Sequence, residues 1–136
     1  MSSAAVWAIL AFSAIEAAVA LAVVRALVRG VWRPLEDAYP ARAPAGGAVR
    51  KPFQSYRFGI LNLGSSVHTT VDAEHLHLEP VRFVRWLGVT PVSVPWDAVR
   101  PVRMRGRRCA DVDIGGQMIT GPRWALELVF AGREGE

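Results

Sequence analysis

The densest group of chemically capable side chains in this sequence is a run of five arginines within nine residues. The five are Arg100, Arg103, Arg105, Arg107 and Arg108. Because Gly106 separates two alternating stretches, we expect residues 99–105 and 108–114 to form a hairpin with the arginines crowded at its tip. The candidate ligands are anionic lipid headgroups, an acidic protein and a nucleic-acid backbone, and the alternative is a solvated basic hairpin without a ligand. No aromatic residue interleaves with the arginines, which disfavours nucleic acid.

A second group of polar side chains has the spacing of a metal site on a β-strand. His75, His77 and Glu79 alternate with leucines, so they share one face of a half-buried strand. Imidazole nitrogens and a carboxylate are ligands for Zn²⁺, and His68 is near enough in sequence to join them across a hairpin. The same alternation is typical of an exposed strand face, and we predict no metal and no cofactor.

The sequence lacks the arrangements that nucleophilic catalysis requires. Ser65 and Ser66 follow Gly64 in a predicted turn, and Asp111 and Asp113 occupy ordinary polar positions of a strand. No Gly-x-Ser-x-Gly motif, phosphate-binding loop or dinucleotide fingerprint occurs. We therefore predict a protein that is not an enzyme.

The element that must position all of these groups is an apolar stretch at residues 4–24, which contains one ionisable side chain, Glu16. A helix of this length reaches roughly 30 Å, the thickness of the hydrocarbon core of a bilayer. Every basic residue follows the stretch, beginning with Arg25, Arg29 and Arg33. Basic flanks stay in the cytoplasm, and a cleaved signal peptide carries its positive charge before the apolar run. We expect an uncleaved single-pass anchor in the inner (cytoplasmic) membrane, with the N-terminus outside and the C-terminal domain in the cytoplasm.

Two features of this span indicate a contact surface. Glu16 lies near its middle, where a charge costs roughly 2.5–3.5 kcal/mol, so we expect its carboxyl to be neutral or hydrogen-bonded to a partner helix. Ala14, Ala18 and Ala22 form a ridge of small residues at i, i+4 spacing, which lets helix backbones approach closely. These four residues are predicted to contact a second copy or a membrane-protein partner. The alternative is an alanine-rich anchor in which Glu16 is only tolerated.

The rest of the chain divides into a linker and a β domain. We expect residues 1–33 to be the anchor and its juxtamembrane helix, residues 34–51 to be a Pro/Gly-rich linker, and residues 52–136 to be the domain. About seven short alternating or apolar segments predict a small, mainly antiparallel all-β domain. Pro95 lacks an N–H, which places its strand at an edge or a bulge. The Trp32 side chain is expected either to lie in the headgroup layer or to pack under the domain.

Three apolar stretches of this domain are harder to interpret. Residues 53–63 form one aromatic run, and residues 81–87 form another segment of the β pattern. Trp86, Leu87 and Val89 are predicted to belong to the core, and the alternative is a hydrophobic finger that enters the membrane. The tail at residues 124–130 alternates as a strand does, although Pro122 is a residue that also begins helices, and we predict a strand.

The order of motifs resembles that of pleckstrin-homology-like (PH-like) or GRAM-like domains of small bacterial membrane proteins. Three stretches within residues 53–130 carry the resemblance: Tyr56-Arg-Phe-Gly, Asp72-Ala-Glu-His-Leu-His-Leu, and Val94-Pro-Trp-Asp-Ala-Val, which is similar to an Ile-Pro-Trp-x-x-Ile signature. The resemblance implies a strongly bent sheet with a C-terminal helix plugging one end, and a Pro-Trp pair that forms a structural corner. Because a fold by itself does not define a function, our hypothesis is a membrane-anchored binding or adaptor module, a subunit of a membrane complex. The alternative is a sensor of anionic lipid headgroups through residues 100–108.

Overall fold

A long N-terminal helix and a small β domain make up the structure, a computed structural model that describes residues 2–134. The outer ends of the predicted ranges, residue 1 and residues 135–136, lie outside the described residues. Helix α1 spans Ser3–Ala38, and the Ser2 side chain caps it by accepting a hydrogen bond from the Ala5 amide N–H (3.2 Å). Its first half lies exposed outside the domain and is long and apolar enough to cross a membrane.

Helix α1 continues past the expected end at residue 33. Pro34 lies inside the helix, although it removes one backbone hydrogen bond. The turns around it are held by tertiary contacts, because Val28, Trp32 and Leu35 are buried in the core of the domain. The linker is therefore shorter than predicted, at residues 39–48.

The β domain is a curled, seven-stranded antiparallel sheet that forms a half-barrel, as predicted for a small all-β domain. Across the sheet the strand order is β4-β3-β2-β1-β7-β6-β5. The strands are β1 (Val49–Phe58), β2 (Leu61–Val71), β3 (His75–Pro80), β4 (Val92–Pro95), β5 (Val99–Arg105), β6 (Cys109–Ile114) and β7 (Gln117–Pro122). The hairpin around Gly106, the turn at residues 115–116 and the edge position of Pro95 are confirmed.

The curl of the sheet follows from the connection between its two edges. In a flat sheet, six inter-strand spacings would separate β4 from β5 by roughly 29 Å. Only a 3₁₀ turn, Trp96–Ala98, joins these two strands, and a connection of that length reaches at most about 14 Å. The sheet must therefore bend until its edges approach each other. The Trp96 indole N–H fixes this corner by donating to the Asp72 carbonyl oxygen (2.8 Å).

Three local predictions were wrong. Residues 53–63 are two strands rather than one, because the chain turns at Gly59, which has φ +62°. A short helix, α2 (Arg82–Trp86), replaces the expected strand at residues 81–87. Pro122 is followed by helices α3 (Arg123–Leu126) and α4 (Leu128–Glu134) instead of a strand. The side chains of Ala125 and Leu126 are fully buried against the sheet, and this packing outweighs the alternating pattern.

Candidate functional site

The junction between α1 and the β domain is closely packed, because one face of α1 belongs to the core. Val28, Trp32 and Leu35 follow the i, i+4, i+7 spacing of one helix face. Trp32 is 0% exposed, its ring meets the Phe58 ring edge-on at 5.6 Å, and its indole N–H donates to the Thr90 carbonyl oxygen (2.6 Å). The Thr90 amide N–H in turn donates to the Glu36 carboxylate (2.6 Å). Of the two environments expected for Trp32, the structure shows packing under the domain.

The contacts that α1 makes with residues 88–93 also fix the direction in which this segment runs. The Arg25 and Arg29 side chains lie beside Gly88. Further along α1, the side chains of Trp32 and Glu36 bind the backbone of Thr90. After the end of α1, the Tyr39 carbonyl accepts a hydrogen bond from the Ser93 amide N–H (3.1 Å). These contacts occur in the same order along both segments. Residues 88–93 therefore run parallel to α1, away from the end of the predicted span. The α2 segment, which precedes Gly88, lies at the end of the domain nearest the span.

The apolar segment before Pro91 divides between core and surface. Leu87 and Val89 are buried in the core, as predicted. The Trp86 prediction was wrong, because its side chain is 69% exposed. Phe83, one helical turn earlier, is 66% exposed, and the two rings stack at 6.5 Å. Sequence reasoning considered Trp86 as part of a hydrophobic finger but missed its pairing with Phe83, because it assigned a strand to the segment and helical geometry sets the two side chains side by side.

Glu16 and the alanine ridge lie on opposite sides of α1. Successive helical residues are rotated by about 100°, so Glu16 points about 160° away from the mean direction of Ala14, Ala18 and Ala22. All four residues are exposed. One partner helix cannot contact both features, so the structure does not bring the predicted interface residues together.

The five arginines of the β5–β6 hairpin fall into three environments. The Nε atoms of Arg103 and Arg105 lie 2.8 and 3.1 Å from Oδ2 of the buried Asp111. Arg107 and Arg108, at the turn, form no side-chain hydrogen bond or ion pair with any residue that the structure describes. Arg100 lines a groove at the start of β5. The predicted cluster is therefore not a set of equivalent free cations.

Asp111 is the anchor of this hairpin. Its second carboxylate oxygen accepts a hydrogen bond from the Thr120 hydroxyl (2.6 Å). Burial by itself raises the pKa of Asp111, but the hydrogen bonds from Thr120, Arg103 and Arg105 and the charge of Arg105 outweigh it and hold the pKa below its ordinary value. The ionised carboxylate thus neutralises part of the positive charge of the hairpin.

A buried polar network holds the linker against β3 and β4. Asp72 accepts hydrogen bonds from the amide N–H groups of Ala45 (2.9 Å), Glu74 (2.8 Å) and His75 (2.7 Å) and pairs with His77 Nε2 (2.6 Å). Burial alone raises the pKa of Asp72, and the four hydrogen bonds reverse this and place it far below the ordinary value.

The other end of this network is the hydroxyl of Ser93. His77 Nδ1 lies 2.7 Å from Ser93 Oγ, which also accepts a hydrogen bond from the Arg42 amide N–H (2.8 Å). The chain Ser93–His77–Asp72 has the residue types of a hydrolytic triad. However, Ser93 is 3% exposed and lies under the linker, whereas a nucleophile must reach its substrate. The geometry fits the attachment of the linker.

Only part of the predicted metal site belongs to this polar network. Asp72, His75 and His77 bring three potential ligand atoms within 4.8 Å of one another. Both ring nitrogens of His77 and both oxygens of Asp72 already have hydrogen-bond partners, so a metal ion would have to break these bonds. Glu79 lies instead near Arg50 and Arg85, and His68 accepts from the Phe53 amide N–H.

A groove of about 540 Å³ lies between edge strand β5 and helix α4. It is lined by Trp96, Asp97, Val99, Arg100, Pro101, Leu128 and Val129. Leu128 is 53% exposed, and β5 has a neighbouring strand on one side only. The groove combines one side of strand β5, an apolar wall and a cation. Sequence reasoning missed it because α4 was predicted to be a strand.

Comparisons of the chain with protein-family models, curated proteins and solved structures gave no match.

Proposed function

We propose that this protein is a membrane-anchored, non-catalytic binding module, an adaptor or subunit of a membrane complex whose PH-like domain faces the cytoplasm. The continuity of α1 from an exposed apolar half into the domain core carries this proposal. Because Trp32 is fully buried, the domain cannot swing on a flexible tether. The placement of Arg25, Arg29 and Arg33 directly after the span supports a cytoplasmic orientation in the inner membrane.

The groove between β5 and α4 is the binding surface that suits an adaptor. A groove of this kind can hold a peptide segment through pockets for its side chains, which select the sequence. The exposed side chain of Leu128 favours an apolar side chain in the groove, and Arg100 favours an acidic neighbour. The proposed partner is therefore an extended segment of a membrane-complex protein that combines apolar and acidic residues.

Site-specific photo-crosslinking in cells tests this binding function. A photoreactive residue at Leu128 is expected to capture a defined partner, and capture is expected to fall in an Arg100→Glu background. Phe53 is the matched control, because it is exposed to a similar degree and lies on β1 outside the groove. Equal crosslinking from both positions, or none from Leu128, would refute the assignment of the groove. A reporter fused to the C-terminus tests the orientation, and activity on the periplasmic side would contradict it.

A second candidate function is recognition of anionic lipid headgroups by the hairpin, which the side chains of Arg107 and Arg108 favour because they have no partner among the described residues. A fragment of residues 25–136 keeps the buried face of α1 and lacks the span. Flotation with phosphatidylglycerol vesicles is expected to weaken in Arg107→Glu/Arg108→Glu more than in the charge-matched control Arg42→Glu/Arg57→Glu. Equal losses in both variants would argue that only net charge matters.

A further inference from the structure

We propose that α2 is a second membrane contact, in which Phe83 and Trp86 insert into the interfacial layer of the leaflet from which α1 emerges. This inference rests on the proposed function, since it requires α1 to span the bilayer.

The position of α2 along the membrane normal follows from α1. The Arg25 and Arg29 side chains approach Gly88, with atoms 3.7 Å from the point where a Cβ would stand. Residues 25–29 extend less than about 8 Å beyond residue 24 along the helix axis. The headgroup region adds roughly 5–8 Å on each side of the hydrocarbon core. Gly88, and α2 just before it, thus lie at the depth of the headgroups.

The exposure of α2 is selective. Val84 is buried and holds the helix against the domain, whereas Phe83 and Trp86 both lie mostly exposed on its other side. Two large aromatic side chains stacked at 6.5 Å form a single apolar projection. Aromatic residues, above all Trp, are enriched at the membrane–water interface, because their rings have an apolar body and a polarisable or hydrogen-bonding edge.

The charges around α2 suit an anionic leaflet. Arg82 and Arg85 are exposed on the same short helix, and Arg25 and Arg29 lie beside the following loop. The only carboxylate paired with this group among the described residues is that of Glu79, 3.7 Å from Arg85. The aromatic pair is therefore surrounded by a net excess of cations, a combination that binds anionic lipid surfaces through both apolar insertion and charge.

Depth measurements on the full chain in phosphatidylglycerol-containing vesicles test this proposal. In a Cys109→Ser background, an environment-sensitive fluorophore is attached to one of three single-cysteine variants, Phe83→Cys, Ile15→Cys or Val49→Cys. Ile15 lies within the predicted span, and Val49 is an exposed apolar residue that pairs with Val71 at the opposite end of the domain. Lipids with a quencher at a shallow or a deep position of the acyl chain then report the depth of each label.

The expected result is a blue-shifted label at position 83 that shallow quenchers reach best, a deep label at position 15 and an unquenched label at position 49. A water-exposed label at position 83 together with a deep label at position 15 would overturn the inference and leave the anchor intact. A water-exposed label at position 15 would overturn the anchor and the inference together. A blue shift at position 83 without lipid quenching would mean that a second protein copy covers α2, and it would also overturn the inference.

Discussion

Replacing Asp72 by alanine tests whether the buried polar network fixes the linker to the sheet. The side chain accepts four hydrogen bonds, from the amide groups of Ala45, Glu74 and His75 and from His77 Nε2. Water can replace part of the backbone contacts, at a net cost of about 0.5–1 kcal/mol each, and the buried imidazole loses about 1.5–3 kcal/mol. We therefore expect Asp72→Ala to lower the free energy of unfolding by about 4 kcal/mol. Asp72→Asn keeps one acceptor oxygen and is expected to lose about half as much.

The assay is urea unfolding of the full chain in detergent micelles, followed by tryptophan fluorescence. Trypsin cleavage after Arg42 gives a local readout, since the Arg42 amide is held by Ser93 and is expected to become accessible in the variant. The control is Asp97→Ala, which removes an exposed carboxylate that accepts no hydrogen bond from the described residues and is expected to change stability by less than about 0.5 kcal/mol.

The pH dependence provides an independent check. The folded pKa of Asp72 lies below its unfolded value of about 3.9, so its contribution to stability is fully present above that pH and is lost as the pH falls toward the folded pKa. The unfolding free energy of the native chain is expected to fall below about pH 4, and that of Asp72→Ala to fall less steeply. A loss of under 1 kcal/mol at pH 7, or an unchanged pH profile, would refute this account of the network.

Three further substitutions test the packing that positions the candidate surfaces. Trp32→Ala removes the fully buried side chain that joins α1 to the domain and is expected to cost about 3–5 kcal/mol in urea unfolding, whereas Trp7→Ala, at a 71% exposed position, should leave the midpoint unchanged. Asp111→Ala leaves Arg103, Arg105 and the Thr120 hydroxyl without their shared acceptor, and we expect a loss of about 2–4 kcal/mol; a native melting temperature would show that the hairpin does not depend on this carboxylate. Gly121→Ala would place a Cβ 2.6 Å from Tyr56 Cε1 and is expected to cost about 1–3 kcal/mol by thermal denaturation, whereas Gly46→Ala meets no atom within 4 Å and should be neutral.

Much of the architecture is predictable from local sequence. A span of apolar residues needs no knowledge of its neighbours, and the turns at Gly106 and at residues 115–116 follow from glycine conformations that the hairpins require. Strands β3, β4, β5 and β6, the edge position of Pro95 and the core positions of Leu76 and Leu78 follow from alternation and from the missing N–H of proline, whereas strand β7 was not predicted. These features depend on residues close together in the chain.

The errors have a common cause in long-range packing. α1 passes Pro34 because Trp32 and Leu35 are buried by strands far away in sequence, and the tail is helical because Leu126 covers the open side of the sheet. The helix at residues 82–86 has a related cause. Within this segment only the Val84 side chain is buried in the core, whereas the aromatic side chains of Phe83 and Trp86 are exposed. Local alternation cannot reveal which side of a segment will be covered.

The sequence alone determined the apolar span, its basic flank and the class of the domain, because hydrophobicity and backbone preferences act over a few residues. Only the tertiary structure decided which charged groups are paired: Asp111 binds Arg103 and Arg105, and Asp72 binds the linker, from which the whole β1–β2 hairpin separates it in the sequence. It also placed Phe83 and Trp86 beside the end of the span. Pairings of this kind depend on the curl of the sheet, which brings together groups whose contact cannot be predicted from their spacing in the sequence.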